Sequence, residues 1–400
     1  MTRVAVIGGG AAGFFLAINL KEMVPQMEVT IIERSRRLLA KVEVSGGGRC
    51  NCTNSFEQIT DLQQAYPRGH RLLKRLFKTF DHRDAYRWFE RRGVKLVTQD
   101  DGCVFPQSQD AHTIINLFLA ETRRLGVRVL TETPIASLDE LADYDFVAVT
   151  IGGQQRADAL GWLQQPVEKP VPSLFTFSIG DERLHSLMGV VADHASAMLP
   201  GTKMRAEGPL LITHWGMSGP CVLRLSSYAA RLLSECGYQH PLAVNWLGWS
   251  EKEARQWLTQ TVSGEAPKLL ASYRPPGLQQ RLWDYLLDKS LGSGRVHAPW
   301  CSLNQKELNR LVAVLTADTY AISGRAPFKD EFVTCGGIAL SAVSPTTLES
   351  KTRQGLYFAG EVLDIDGITG GFNFQAAWTT AYTVATAISQ ANADVFPDLR

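Results

Sequence analysis

The run Arg3-Val4-Ala5-Val6-Ile7, followed at once by Gly8-Gly9-Gly10-Ala11-Ala12-Gly13, restricts the fold more than any other stretch of this chain. An apolar run that ends in G-x-G-x-x-G reads as a buried strand, a tight turn and the opening of a helix. The pattern predicts a helix from Ala12 to about Glu22. It then predicts a second strand over Glu28 to Glu33, whose closing acid lies about twenty residues beyond Gly13, the offset of a ribose-binding carboxylate. In this arrangement Gly8 allows the turn, Gly10 lets backbone approach a pyrophosphate, and Gly13 lets the helix pack closely, with the helix N-terminus facing the anion. Glu33 accepts from both ribose hydroxyls and repels a 2′-phosphate, so FAD or NAD suits the site and NADP does not. No second fingerprint follows a strand elsewhere in the sequence, which leaves one pre-built dinucleotide site.

Two later segments extend the same architecture. Tyr144 to Val149 is an apolar run that closes on Thr150-Ile151-Gly152-Gly153, the pattern of another central parallel strand. Near the C-terminus, Gly355 to Glu361 again runs strand, glycine, acid. The loop Asp366 to Asn373 and an Ala-rich helix from Phe374 to about Gln390 follow. Between these blocks, Ser250 to Leu270, Leu278 to Leu291 and Leu303 to Thr319 carry apolar residues at helical spacing. Trp246, Trp249, Trp257, Trp283 and Trp300 are expected mostly in the core.

Composition excludes several classes. With 41 basic and 40 acidic side chains and a formal net charge of +1, the chain lacks the overall charge of a nucleic-acid binder, and no nucleic-acid partner is expected. The cluster from Arg68 to Lys78 reads as a solvated helix face. The longest uncharged run, Gly367 to Ala393, holds Asn373, Gln375 and Asn392 and is too polar for a membrane span. The opening MTRVAVIGGG has no secretion-signal pattern, and seven cysteines without repeated spacing suit a reducing compartment. A cytoplasmic protein acting on a small molecule is the expectation.

SGGGRCN from Ser45, THWGMSGP at Thr213 to Pro220, and GLYFAGEVLDIDGITGGFNFQAAW near the C-terminus resemble segments of the bile-acid reductase (BaiN)-like and aminoacetone-oxidase-like flavoproteins. The resemblance covers most of the chain. It implies an NAD(P)/FAD-dependent oxidoreductase, with NAD(P)H as a transient electron donor and the physiological substrate unassigned. It also implies an α/β fold, a Rossmann-like FAD-binding domain with a parallel sheet flanked by helices. That domain would comprise residues 1–153 and 326–400, interrupted by a region that is β-rich over 154–245 and helical over 246–325. Carried onto this sequence, the cofactor-binding positions are Gly8, Gly10, Ala11, Ala12, Gly13, Glu33, Arg34, Lys41, Ser45, Gly46, Gly47, Arg49, Cys50, Asn51, Ile135, Thr150, Gly152, Gly360, Glu361, Gly370, Gly371, Phe372 and Asn373. Glu361 would hold the ribityl chain or the pyrophosphate. The chain departs from the pattern at Gly152 to Asp158, where a longer small-residue loop is usual, so bile-acid activity is not carried over.

The segment SGGGRCNCTN admits three chemistries. A zinc site needs about four ligands, and Cys50 and Cys52 supply two with no partnering His pair. A redox dithiol normally has C-x-x-C spacing. The favoured reading is a flavin-facing loop, in which Gly46, Gly47 and Gly48 permit close backbone approach, Arg49 pairs with phosphate or a substrate carboxylate, and Cys50 packs as a small apolar side chain. The C-terminal helix, aimed by Gly370 and Gly371, would stabilise negative charge at the reduced ring, with Asp364 and Asp366 read first as caps. His214 is the first candidate for acid–base assistance, because an imidazole titrates near neutral pH. Tyr320, Cys335 and Arg325 rank behind it. An oxygen-using oxidase of a small amine or ketone and a non-catalytic flavin sensor are the alternatives to a reductase.

Overall fold

Val4, Ala5 and Val6 expose nothing to solvent, as expected of a parallel strand covered on both faces. The computed structural model of the chain describes residues 1–292, 294–326 and 333–395. Five strands, β1 (Arg3–Ile7), β2 (Glu28–Ile32), β3 (Arg128–Leu130), β4 (Phe146–Val149) and β5 (Leu356–Phe358), form a parallel sheet in the order β5–β4–β1–β2–β3. The order reverses between β1 and β4, and in open α/β sheets ligands bind at the carboxyl ends of strands flanking such a switch.

Helix α1 (Ala11–Met23) packs on β1 and β2, and α2 (His70–Leu76) and α3 (His82–Glu90) pack on the last helix, α4 (Phe372–Val395). Ala12 through Leu20 of α1 are all buried, so this helix is covered on every side, and it packs along α4. The last helix begins two residues before its expected start, because the Gly370-Gly371 turn delivers the chain directly into helical geometry at Phe372. A capping box in which Asp81 and Asp84 exchange side-chain to backbone bonds starts α3.

The chain divides into two compact units. The first is Met1–Val171 with Val333–Arg400, and the second is Pro172–Phe332. Residues 327–332 and 396–400, within the stretch expected to belong to the nucleotide fold, lie outside the described residues. Val167–Ser173, whose last two residues belong to the second unit, and Val333–Ile338 form a two-stranded sheet.

The second unit is built on an eight-stranded antiparallel sheet, with the helices Glu251–Gly264, Gln280–Leu291 and Gln305–Ala317. Trp246, Trp283 and Trp300 are fully buried in its core, while Trp249 and Trp257 are only partly covered. Tyr320 has a structural role here. Its hydroxyl donates to the buried Asp318 at 2.5 Å, and Asp318 also accepts from Trp246 Nε1 at 3.1 Å and pairs with Lys289 at 2.6 Å. Burial and the Asp318 carboxylate push the Tyr320 phenol far up, so it stays protonated.

Candidate cofactor site

The site starts where β1 and β4 end. Thr150 Oγ1 donates to the carbonyls of Ile7 and Gly8, each at 3.0 Å, and so locks the two strand ends together at the switch point. A Cβ on Gly13 would lie 2.0 Å from the Gly8 carbonyl oxygen and 2.8 Å from Thr150 Oγ1. No other residue allows α1 to approach β1 this closely. At Gly10, by contrast, a Cβ would meet nothing within 4 Å. The first N–H groups of α1, from Ala11, Ala12 and Gly13, have no intrahelical acceptor and carry the positive end of the helix dipole.

Glu33 sits at the end of β2, where its Oε2 accepts from Gly9 N–H at 2.7 Å and its Oε1 accepts from Ser35 N–H at 2.8 Å. With a third bond from the Ser35 hydroxyl to Oε1 at 2.9 Å, they aim the carboxylate and leave a lone pair on Oε2 for a ribose hydroxyl. The loop carrying Ile135 runs beside it, since Thr133 N–H donates to the Glu33 carbonyl and Glu132 N–H to that of Ser35. Arg34 is exposed.

The third element is the glycine-cysteine loop. Leu39 N–H bonds the Gly9 carbonyl at 2.9 Å and starts the helical stretch Ala40–Gly48, which leaves helical geometry at Ser45, Gly46 and Gly47. From there Cys52 to Asn54 lie against the start of α4. Trp378 Nε1 donates to the Cys52 carbonyl at 2.7 Å, Thr53 Oγ1 to Gln375 Oε1 at 2.6 Å, and Asn54 Nδ2 to the Gly370 carbonyl at 2.9 Å. Gly371, at φ +87°, could carry no side chain, since its Cβ would lie 2.2 Å from Thr53 O and 2.6 Å from Asn51 Oδ1. Asn373 closes the α4 turn by exchanging two bonds with the backbone of Gly367.

Glu361 completes the ring of contacts. Its Oε2 accepts from Lys41 at 2.7 Å and its Oε1 from Thr334 N–H at 2.9 Å. A Cβ on Gly153, next to Gly152, would lie 2.8 Å from that same Oε1. Gly360 donates its N–H to Thr380 of α4 at 2.8 Å, and a Cβ there would come within 2.9 Å of the Ala12 Cβ. The fingerprint at 8–13, the loop at 45–54 and the turn at 360–373 therefore lie together within one unit.

Arg49 Nε donates to the Gly46 carbonyl at 2.9 Å, and its guanidinium stacks 4.1 Å over the Phe105 ring. Other side chains adopt roles different from those expected. Asp366 is no cap; fully buried, it forms a two-pronged ion pair with Arg68, which removes Arg68 from the solvated face assigned to it. Cys50 and Cys52 are buried thiols, as expected of packing residues, and desolvation raises the Cys52 thiol. Cys335 is fully buried in Val333–Ile338, and Arg325 stands over the Tyr238 ring at 5.6 Å in the second unit.

His214 also lies in the second unit, exposed, with its ring 4.8 Å from that of Trp215. The two residues border an apolar cleft of about 270 Å³, with Met188, Leu211 and Ile212.

Sequence reasoning did not find Thr53, Gln375, Thr334 or Tyr66, whose hydroxyl donates to the Phe372 carbonyl at 2.8 Å. A glutamine in the first turn of the Ala-rich helix, beside Ala376, Ala377 and Trp378, was the available signal for Gln375, because a buried amide needs a partner.

The residues present fit an FAD. Gly10 and Gly47 face open space where a Cβ would meet nothing within 4 Å, whereas Gly13, Gly153, Gly360 and Gly371 are glycine because protein presses against them. The N-terminus of α1 lies beside Glu33, which accepts from Gly9 N–H, and the N-terminus of α4 lies against Thr53 and Asn54 of the glycine-cysteine loop. Among the described residues no group of His, Cys, Asp or Glu could hold a metal, and no helix is long and apolar enough to cross a membrane.

Comparison with known proteins agrees with this architecture. The model of a family described as HI0933-like protein Rossmann domain matches residues 2–387. The 3-dehydro-bile acid delta(4,6)-reductase of Clostridium scindens is 27% identical over 98% of this chain and 100% of its own length. The ribosomal RNA dihydrouridine synthase of Haemophilus influenzae is 25% identical over 96% of this chain and 98% of its own. Among solved structures, 3-ketosteroid delta1-dehydrogenase from Sterolibacterium denitrificans aligns over 98% of this chain and 100% of its own at 11% identity, with a TM-score of 0.48.

Proposed function

Because this chain belongs to the HI0933-like Rossmann family, whose model spans residues 2–387, we propose that it is an FAD-dependent oxidoreductase that reduces a carbon–carbon double bond conjugated to a carbonyl. The observation that carries the cofactor assignment is the convergence of three glycine segments, two helix N-termini and the Glu33 carboxylate in one unit. When bound, the flavin supplies reversible two-electron transfer between NAD(P)H and an organic substrate.

The chain's own residues bind and orient. The N–H groups of Ala11, Ala12 and Gly13 hold the pyrophosphate, and Glu33 holds the ribose diol. Lys41 pairs with Glu361 and fixes its carboxylate. The N-terminus of α4, at Phe372 and Asn373, favours negative charge beside it. His214 is the candidate proton carrier: it is exposed beside Trp215 on an apolar cleft able to take part of a ring system.

The substrate class follows from what two dissimilar substrates share. One relative is named for reducing the delta(4,6) bonds of a 3-dehydro-bile acid and another for making dihydrouridine. In a 3-oxo steroid with those bonds, and in uridine, the reducible double bond is conjugated to a ring carbonyl.

Anaerobic titration of the purified flavoprotein with NADH and NADPH, followed by a 4-en-3-one steroid or a uridine-containing RNA, tests the reading. Bleaching by a pyridine nucleotide and recolouring by either acceptor is the expected result. A protein that takes up no FAD, or a reduced flavin recoloured by oxygen alone with release of hydrogen peroxide, would defeat it. The latter outcome would point to an oxidase.

A further inference from the structure

Arg68 and Asp366, 298 residues apart in the chain, form an ion pair inside the protein: none of the Asp366 side chain reaches solvent and only 13% of the Arg68 side chain does. Arg68 donates from Nε to Oδ1 at 2.5 Å and from Nη2 to Oδ2. Burial works against the charge on the guanidinium, but the Asp366 carboxylate, with smaller help from Cys335 and Asp364, outweighs it and keeps the group protonated. Enclosing two charges is a poor way to hold a fold. Their desolvation offsets most of their attraction, and apolar side chains of similar volume commonly serve as well. The pair therefore points to a task other than stability.

Its surroundings show which task. Residues 65–69 clasp residues 365–372. Arg68 and Asp366 form an antiparallel backbone bridge, Ile368 N–H donates to the Ala65 carbonyl at 2.9 Å, and the Tyr66 hydroxyl donates to the Phe372 carbonyl at 2.8 Å. The fit leaves no slack: a Cβ on Gly69 would lie 2.6 Å from Ile365 Cγ1, and one on Gly367 would lie 2.9 Å from the Cβ of Phe372. The clasped segment runs through Gly370 and Gly371 straight into α4, whose first turn contains no acid. The opening N–H groups of that helix carry partial positive charge, and Asp366 and Arg68 are full charges placed beside its entry.

We infer that Arg68 and Asp366 are positioning residues for the flavin, and that their mutual neutralisation sets its reduction potential. Negative charge appears beside the start of α4 when the bound flavin is reduced, and the helix end favours it. An Asp366 carboxylate without its arginine would oppose that charge; an Arg68 guanidinium without its carboxylate would add to the helix. Held together, the two contribute rigidity to the glycine turn and almost no field, because opposite charges in contact cancel at a distance. The inference rests on the FAD assignment and is independent of which conjugated carbonyl compound is reduced.

Equilibration of the purified holoprotein with a reference dye during anaerobic reduction tests it, with flavin content and melting temperature recorded alongside. D366N leaves Arg68 unneutralised and should raise the reduced-to-oxidised ratio at a fixed potential by about tenfold, a shift of about 30 mV for a two-electron couple. R68M/D366N removes both charges and should return the ratio to within about threefold of wild type. Whatever charge Asp364 carries is common to all three proteins. A purely structural role predicts the reverse order, since the double variant has lost more of the clasp than the single. Should D366N fold without retaining flavin, R68K/D366N takes its place; it differs from R68M/D366N by one positive charge and should hold the more positive potential. A ratio that is unchanged or lowered in D366N, a double variant no nearer to wild type than the single, or equal potentials in the lysine and methionine pair would each overturn the inference. A wild-type protein that takes up no FAD defeats the cofactor reading instead, whereas a flavin-loaded wild type whose variants fail to separate by charge defeats only the role of this pair.

Discussion

The Thr53 hydroxyl donates to Oε1 of Gln375 at 2.6 Å, with both side chains sealed from solvent, and so joins two segments 322 residues apart in the chain. Replacing Gln375 with Leu leaves the Thr53 hydroxyl unsatisfied in the interior, which should cost about 1–3 kcal/mol. The double variant T53V/Q375L should recover much of that loss. Thermal unfolding of both singles and the double gives the coupling, and dissociation of flavin on dilution should be faster only where the link is broken.

Gly10 and Gly13 belong to one fingerprint and should fail in opposite ways. A side chain at Gly10 meets no protein atom within 4 Å, so Gly10→Leu should fold at close to the wild-type melting temperature and lack FAD. At Gly13 even Ala drives a Cβ to 2.0 Å from the Gly8 carbonyl, so Gly13→Ala should lose stability as well as cofactor. Flavin absorbance beside circular dichroism distinguishes the two. A Gly10→Leu protein that stays fully loaded would contradict the pyrophosphate assignment.

His82 gives stability a pH dependence. Desolvation lowers its folded-state pKa below the ordinary histidine value, so between the two pKa values the unfolded chain binds more protons than the folded one. Stability therefore rises with pH across that window and is lost as pH falls below about 6.5 toward the folded value. His82→Phe retains the stack on Phe56 and removes the titration. Its melting temperature should fall less than wild type between about pH 7 and pH 5.

Thiol labelling should divide the seven cysteines sharply. Cys236 and Cys301 are exposed and the other five are buried. Burial raises Cys103 to about 11 and Cys221 to about 12, so neither offers thiolate near neutral pH. A disulfide reagent at about pH 8 should titrate two groups quickly in the native protein and all seven in denaturant. Rapid reaction of a third would show that the loop bearing Cys50 and Cys52 opens.

The nucleotide fold was legible because its signals are local. Strand β1, the three glycines and Glu33 lie within 31 residues, Arg3 to Glu33, at a spacing that is readable before any tertiary contact is known. The start of α4 was legible for the same reason, through Gly370 and Gly371. Pairings between distant segments were not. Nothing local marks Asp366 as the partner of Arg68, because an acid beside a glycine turn reads equally well as a cap, and only tertiary burial decides. The contacts of Arg49 with Phe105 and Gln109 are equally hidden in the sequence, because they exist only once the chain has folded back.

The first unit is written in two instalments, Met1–Val171 and Val333–Arg400, with the whole second unit between them. A ribosome must therefore deliver every residue of that second unit before Thr380 can meet Gly360 or Gln375 can meet Thr53. The nascent chain displays its glycine fingerprint early and cannot close around a nucleotide until the last helix emerges. Flavin capture thus waits for the emergence of α4, and a message truncated before the codon for Phe372 should yield a colourless product.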